Sequence, residues 1–160
     1  MSIVPFDQLP GDSRLWIFAA ERPLSELERS RVLGAVDAFI GQWAAHAVPL
    51  TTARDLRYDQ FIFVAVDERA AGASGCSVDA LVRQMKGLQV ELGVELVDHA
   101  PVLYRDGNGI VRVAREEFAD FSRTVSMLDQ LDEIARVPAQ KWRCVVAEQG
   151  RHTKCTCFSL

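Results

Sequence analysis

Six consecutive apolar residues, Phe61 to Val66, constrain the fold of this chain more than any other feature. The run is rich in β-branched and aromatic side chains, which favour strands, and it has the length of a strand. A second strand-like segment, residues 50–57, precedes it across Tyr58-Asp59, so the two segments predict a hairpin. We therefore expect this strand to be buried centrally in its sheet.

Helical patterns lie on both sides of the hairpin in the sequence. The first helix is predicted to begin after Ser25, because Ser25 and Glu28 have the spacing of a capping box. Its apolar residues recur at spacings of three and four, and we expect it to end near His46. The second helix follows the small-residue loop 70–77 and is predicted to end at Gly93, which can take the left-handed conformation of a C′ residue.

Further strands are predicted at residues 15–20, before the first helix, and at 94–104 and 110–114, after the second. The resulting order, β-α-β-β-α-β-β, defines an α+β fold. With right-handed crossovers and both helices on one face, it predicts a ferredoxin-like split β-α-β sandwich with an added edge strand. We expect one domain over residues 1–136, including a C-terminal helical extension, followed by a disordered tail at 137–160.

Composition and charge narrow the class of protein. Among 160 residues, 49% are hydrophobic and 25% are charged, which is typical of a globular domain. The net charge of −4, without basic runs interleaved with aromatics, disfavours nucleic acid as a partner. No apolar run reaches the ~18 residues of a membrane helix, and no export signal opens the chain, so we expect a cytoplasmic protein without a membrane partner.

The predicted topology gathers reactive residues at one rim of the sheet. The loops that carry His46 and Cys76 should be neighbours there, and the ends of two strands bring Asp67 and Arg105 to the same rim. Cys76 opens the second helix, where free N–H groups and the helix dipole stabilise a thiolate. With His46 as base and Asp67 or Glu68 orienting it, this set has the composition of a thiol enzyme. The alternative is that Cys76 is a packing residue and that His46 caps its helix.

The same loop suggests a second kind of site. Ser74, Gly75 and Ser77 have small or absent side chains, so backbone N–H groups at the helix start could bind an anion, with Arg105 completing the site. The alternative is a plain N-cap from Ser74 or Ser77, with Asp79 near the positive end of the helix dipole. That negative charge weakens the anion hypothesis.

Three of the four cysteines lie in the last seventeen residues. Together with His152, they form the pattern C-x7-H-x2-C-x-C, which matches no established zinc spacing. We therefore expect reduced thiols in a chemically idle tail, with no metal and no cofactor.

Several motifs resemble a small family of bacterial proteins of unknown function that often carry the automatic label "ABC transporter ATPase". The similarity extends over residues 16–118. Its motifs are Arg22-Pro23-Leu24, Trp43-Ala-Ala-His46 followed by Pro49-Leu50, Phe61 to Asp67, Ala73-Ser-Gly-Cys-Ser-Val-Asp79 and Tyr104-Arg105-Asp106. Val137-Pro138 with Trp142 is similar to the family's ending. The resemblance implies no established activity.

Chemistry argues against the ATPase label. Binding ATP phosphates in that transporter class needs the loop G-x-x-x-x-G-K-[ST], and the first lysine after Gly75 is Lys86, inside the predicted helix. Our main hypothesis is therefore a small protein that binds an anionic ligand or a protein partner through the rim, with a homodimer as one arrangement. The alternative is a thiol-dependent enzyme or redox protein using Cys76 and His46.

Overall fold

The computed structural model describes residues 3–97, 101–106, 109–114, 144–149 and 152–157. The chain divides into two compact units, residues 1–97 with 140–160 and residues 98–139. In chain order the elements are a 3-10 turn Phe6–Gln8, β1 Arg14–Ala19, α1 Glu26–Ile40, β2 Ala44–Ala45, β3 Val48–Pro49, β4 Thr51–Arg57, β5 Phe61–Asp67, α2 Gly75–Leu92, β6 Val102–Asp106, β7 Gly109–Val113, β8 Cys144–Gln149 and β9 His152–Cys157. The fold is α+β.

An antiparallel sheet with the strand order β1-β5-β4 forms the centre of the first unit. The apolar run on β5 is central as predicted, and each of its residues from Phe61 to Val66 is at most 5% exposed. Tyr58 and Asp59 form the predicted hairpin turn, with φ of 54° and 53°. A two-residue turn of this hand matches the twist of the strands it joins, because both central residues have positive φ.

Both helices contribute to the core on one face of this sheet. The sheet provides Phe18, Ile62, Val64 and Val66. The helices provide Val32, Val36 and Ile40 from α1 and Leu81, Met85 and Leu88 from α2. These helical residues recur at the spacing that places them on one stripe.

The N-terminal segment contributes contacts on the opposite face. Phe63 alternates with the core residues of β5, and its ring meets the Phe6 ring edge to face at 6.2 Å between centroids. The Arg57 guanidinium lies over both rings, 5.2 Å from the centroid of Phe63 and 5.8 Å from that of Phe6. Leu9 is buried in the same segment. Since neither face of β5 is left to solvent, the strand needs no polar alternation.

The capping box of α1 is confirmed. The Ser25 hydroxyl accepts from the Glu28 N–H at 3.4 Å, and the Glu28 carboxylate accepts from the Ser25 N–H at 2.8 Å. The Arg22 guanidinium donates to both Glu28 oxygens, at 2.8 and 3.0 Å. The hydrogen bond from Arg22, followed by those from Ser25, lowers the pKa of Glu28 from 4.5 to about 2.

This depressed pKa predicts an acid-sensitive contribution to stability. Because the pKa of Glu28 is lower in the folded protein than in the unfolded chain, its carboxylate stabilises the fold above pH 4.5, and that contribution disappears as the pH falls towards about 2. Glu28→Gln should therefore flatten the pH dependence of the free energy of unfolding in this window, measured by urea denaturation. The pKa of Asp67 is also lowered, so Asp67 should preserve part of the slope in the variant. An unchanged slope in Glu28→Gln would contradict the prediction.

The prediction for the end of α1 is wrong. The helix ends at Ile40, and the chain turns into the short antiparallel hairpin β2–β3, which carries His46 in its turn. Trp43 lies beyond the end of the helix. It is nevertheless 3% exposed and packs into the same core, so its position in the sequence imitates the spacing of the apolar stripe of α1. A buried aromatic residue is compatible with a helix or with a loop, so periodicity alone could not show whether the helix continues to Trp43.

The region after α2 also differs from expectation. Gly93 adopts the predicted left-handed conformation, with φ of 62°. Residues 94–97 are not in a strand, and β6 begins only at Val102 and pairs with β7. Val94 and Leu96 are nevertheless fully buried, and the Glu95 carbonyl accepts from the Glu21 N–H at 3.0 Å.

Two predictions concern the C-terminal part of the chain, of which the structure describes only residues 144–149 and 152–157. The helical extension at 116–136 lies outside the described residues. Within the predicted tail, β8 and β9 form an antiparallel hairpin. In the part of the chain that the structure describes, no helix is both long and apolar enough to cross a bilayer.

Candidate functional site

Ser74 caps the start of α2, which resolves the choice between the two candidate serines. Its hydroxyl accepts from the Ser77 N–H at 3.3 Å, while the Ser77 hydroxyl donates to the Ser74 carbonyl at 2.8 Å. Ser77 is buried, whereas Gly75 and Cys76 are exposed. The first turn of α2 therefore presents Cys76 to solvent, with a free thiol.

A buried tryptophan joins the β2–β3 hairpin to this helix start. The indole N–H of Trp43 donates to the Ser77 carbonyl at 2.9 Å. The Trp43 ring also packs against Trp16 and Phe39, with centroids 5.6 and 5.4 Å apart. Since the Trp43 carbonyl accepts from the Leu50 N–H at 3.0 Å, the base of the hairpin is closed at the same residue. The base of the hairpin that carries His46 thus lies against the helix turn that carries Cys76.

The turn of this hairpin has an unfavourable backbone. His46 and Ala47 have φ of 51° and 65°, in the left-handed region that glycine and asparagine usually occupy. Such a conformation costs roughly 1–2 kcal/mol per residue for an L-amino acid with a Cβ. His46, Ala47 and Val48 are all exposed, and Val48 is 49% exposed. A strained, exposed and largely apolar turn therefore projects from a buried anchor.

The two acids predicted to orient His46 have other partners. Asp67 accepts from the Arg69 guanidinium at 2.7 and 2.9 Å and from the Arg69 backbone N–H at 3.0 Å. These bonds hold the pKa of Asp67 below its usual value, with the Arg69 side chain as the main cause. Glu68 accepts from the Ala73 N–H at 3.1 Å and lies 3.6 Å from the Arg14 guanidinium. Both carboxylates are thus engaged in holding the loop between β5 and α2.

The residues predicted to form an anion site belong to different units: the helix start lies in the first unit and Arg105 in the second. The first turn of α2 contains no acidic residue, because the helix begins at Gly75 and Asp79 lies beyond that turn. Arg105 lies on β6 of the second unit. Among the side chains that the structure describes, no group of three His, Cys, Asp or Glu residues is placed to hold a metal ion.

Sequence reasoning missed the residue that organises this region. Trp43 lies immediately before β2 and connects the two loops, yet its spacing assigned it to the apolar stripe of α1. The available signal was Gly41, which follows Ile40 and interrupts the helical pattern two residues before Trp43.

The fold and these contacts define an α+β protein with an exposed hairpin and helix start. The large ribosomal subunit protein bL12 of two Listeria monocytogenes serotype 4b strains, CLIP80459 and F2365, is similar in sequence. Each is 33% identical over 101 residues, which cover 63% of this chain and 79% of the relative. By this identity and coverage the chain belongs to the bL12 family, although no protein-family model matches it. No solved structure matches it either. The name describes those relatives and by itself assigns no activity to this chain.

Proposed function

We propose that this protein is a binding protein that recognises a protein partner through one surface of its first unit. We call this the hairpin–helix surface and define it as His46, Ala47 and Val48 of the β2–β3 hairpin with Gly75 and Cys76 of α2. The observation that carries the proposal is the combination of an exposed apolar turn with a buried anchor, the hydrogen bond from Trp43 to Ser77.

The physical argument begins with rigidity. A turn held at its base by a buried indole loses little conformational freedom when it binds, so the entropic cost of association is reduced. Val48, the first residue of β3, offers an apolar contact beside the turn, and the segment from Ala44 to Pro49 contains no Asp, Glu, Lys or Arg that would have to be desolvated.

Two resemblances support the same surface. The motifs Trp43-Ala-Ala-His46 and Ala73 to Asp79, which are similar to the bacterial family with the transporter label, coincide with the hairpin and the helix start. We propose that this chain is also related to that family. The bL12 relatives are, by name, components of a large assembly, which favours a protein partner over a catalytic role. The large ribosomal subunit is therefore the first assembly to test.

Photo-crosslinking tests the proposal directly. A photoreactive phenylalanine analogue at Val48 should yield a discrete adduct in cells, and the adduct should migrate with its partner on a sucrose gradient. The matched control places the same analogue at Val90, which is 82% exposed on α2 and lies outside the surface. Equal adducts from both positions, or none from Val48 in the folded protein, would overturn the proposal.

Binding of a small anionic ligand is a second form of the same proposal. Ser74 and Gly75 at the start of α2 would provide N–H groups, whereas the Ser77 N–H is already bonded to the Ser74 hydroxyl. The lack of an acidic residue in the first turn of α2 supports it. A change in the amide NMR shifts of Gly75 and Cys76 on titration with inorganic phosphate would favour this form, and no change would favour the protein partner.

A thiol-dependent enzyme remains the alternative, supported by the exposure of Cys76 at a helix start. The engagement of Asp67 with Arg69 counts against it, because this carboxylate, which was expected to orient His46, is already paired. Alkylation with iodoacetamide separates the two functions. A rate above that of a free thiol, which falls in His46→Ala, would favour the enzyme, and an ordinary rate would favour binding.

We further propose that the first unit has the ferredoxin-like arrangement and that the protein acts in the cytoplasm, as a monomer or a homodimer. The order β1-β5-β4 with α1 and α2 on one face corresponds to the first three strands of that fold. Val94 and Leu96, on either side of Glu95, are buried in the same core, and we propose that residues 94–97 take the place of its fourth strand without forming a regular one. Slow amide hydrogen exchange at 94–97 would agree with this assignment, and fast exchange would refute it.

A further inference from the structure

We propose that the ion pair between Asp37 and Arg54 is a clamp that positions the hairpin–helix surface. This role rests on the function proposed for that surface, since the clamp holds the β2–β3 hairpin in the place where the partner meets it. Asp37 and Arg54 are therefore positioning residues, which act on binding through the hairpin and do not touch the partner.

The two residues lie at the two ends of the segment that carries the hairpin. This segment, residues 41–50, leaves α1 after Ile40 and enters β4 at Thr51. Asp37 lies in the last turn of α1, and Arg54 lies near the start of β4. A contact between their side chains therefore fixes the distance between the two ends of the segment.

The geometry is that of a strong ion pair. The Asp37 carboxylate accepts from Arg54 Nε at 2.8 Å and from Arg54 Nη2 at 2.6 Å. Two parallel hydrogen bonds of this kind add orientation as well as energy. The Arg54 and Asp37 side chains are 32% and 39% exposed, whereas those of Arg31 and Glu91, which join α1 to α2, are 62% and 50% exposed. Solvent therefore screens the Asp37–Arg54 pair less.

The backbone of each partner is held independently. The Asp37 carbonyl accepts from the Gly41 N–H at 2.9 Å, at the residue that ends α1. Arg54 is paired with Val64 of the central strand, so its position follows that of the sheet. The clamp thus ties the end of α1 to the sheet, while the Trp43 indole ties the segment itself to α2.

The hairpin needs such restraint because its turn is unfavourable. His46 and Ala47 have positive φ, which disfavours the turn, so contacts at the ends of the segment oppose its opening. The hydrogen bond from the Leu50 N–H to the Trp43 carbonyl closes the base of the hairpin between the two clamped ends. Exchange of the Leu50 amide hydrogen therefore reports whether the clamp holds.

Native-state hydrogen exchange of the full chain tests the clamp without a partner. Asp37→Asn and Arg54→Gln should each speed exchange at Leu50 by roughly three- to tenfold more than at Val64, in the centre of the sheet. A pair that only stabilised the whole fold would speed both amides by the same factor, because both would exchange through global unfolding. The double variant should be no faster than the single ones, since the two side chains form one contact.

A matched variant and the crosslink make the result specific. Glu91→Gln breaks the other ion pair of α1, with Arg31, and should leave the ratio of Leu50 to Val64 exchange unchanged. With the photoreactive analogue at Val48, a second substitution Asp37→Asn should reduce the partner adduct by at least about twofold, while circular dichroism shows a folded protein. Glu91→Gln should reduce it much less.

Three results would overturn the clamp: an unchanged Leu50 rate in both single variants, equal acceleration at Leu50 and Val64, or an undiminished Val48 adduct in Asp37→Asn. Absence of the adduct in the parent protein is a different failure, because it refutes the proposed function. The exchange ratio would then still show whether Asp37 and Arg54 hold the hairpin in place.

Discussion

Replacing Phe63 by alanine is expected to lower the free energy of unfolding by about 3–5 kcal/mol. Phe63 is 1% exposed at the centre of β5, so the substitution removes buried apolar surface and leaves a cavity. It also removes the edge-to-face contact with Phe6 and the ring beneath the Arg57 guanidinium. Urea denaturation should show a lower midpoint with an unchanged slope, which is the signature of lost stability in a two-state protein.

Two further experiments test whether the stability lost in Phe63→Ala comes from burial and from the aromatic pair. Leu27→Ala removes a side chain of α1 that is 74% exposed, and it should change stability by no more than about 0.5 kcal/mol. A double-mutant cycle between Phe6→Ala and Phe63→Ala should give a coupling of about 0.5–1.5 kcal/mol for the aromatic pair. A loss below about 1 kcal/mol in Phe63→Ala would show that β5 is not covered on this face.

Trp43→Phe is expected to cost about 1–3 kcal/mol although it preserves an aromatic ring at the site. The variant removes the buried indole donor to the Ser77 carbonyl, a hydrogen bond worth about 0.5–1.5 kcal/mol, and it also deletes buried ring atoms of Trp43. Trp43→Ala should cost more, about 3–5 kcal/mol, because it also empties the space between Trp16 and Phe39. Thermal and urea unfolding of the two variants measure the difference.

The same substitution tests the connection between fold and function. If the Trp43–Ser77 hydrogen bond holds the hairpin for binding, Trp43→Phe should reduce the crosslink from Val48 under conditions where the protein remains folded. Trp16→Phe is the matched control, because it changes a neighbouring indole and leaves the donor of that hydrogen bond in place. An undiminished crosslink in Trp43→Phe would show that the hairpin is positioned by other contacts.

Local features of the fold could be predicted from the sequence. The capping box at Ser25 and Glu28, the turn at Tyr58 and Asp59 and the C′ glycine Gly93 all occur as expected. Each depends on residues within a few positions of one another, so their chemistry is readable without tertiary structure. The same applies to the apolar run on β5, whose composition leaves little choice of secondary structure.

The candidate site was predictable only in part. The sequence indicated a helix start bearing Ser74 and Cys76, because serine before an apolar periodic segment is a common N-cap. It could not indicate that Asp67 pairs with Arg69, since several arginines were equally available to that carboxylate. It also placed His46 at a helix end, whereas the structure places it in a strained turn.

The sequence by itself therefore determined the α+β class, the central apolar strand and the ends of elements that carry their own capping chemistry. Only the tertiary structure decided that α1 ends at Ile40, because burial of Trp43 against Ser77 outweighs continuation of a helical pattern. This contact joins residues 34 positions apart in the sequence, and linear spacing carries no information about which distant residues meet.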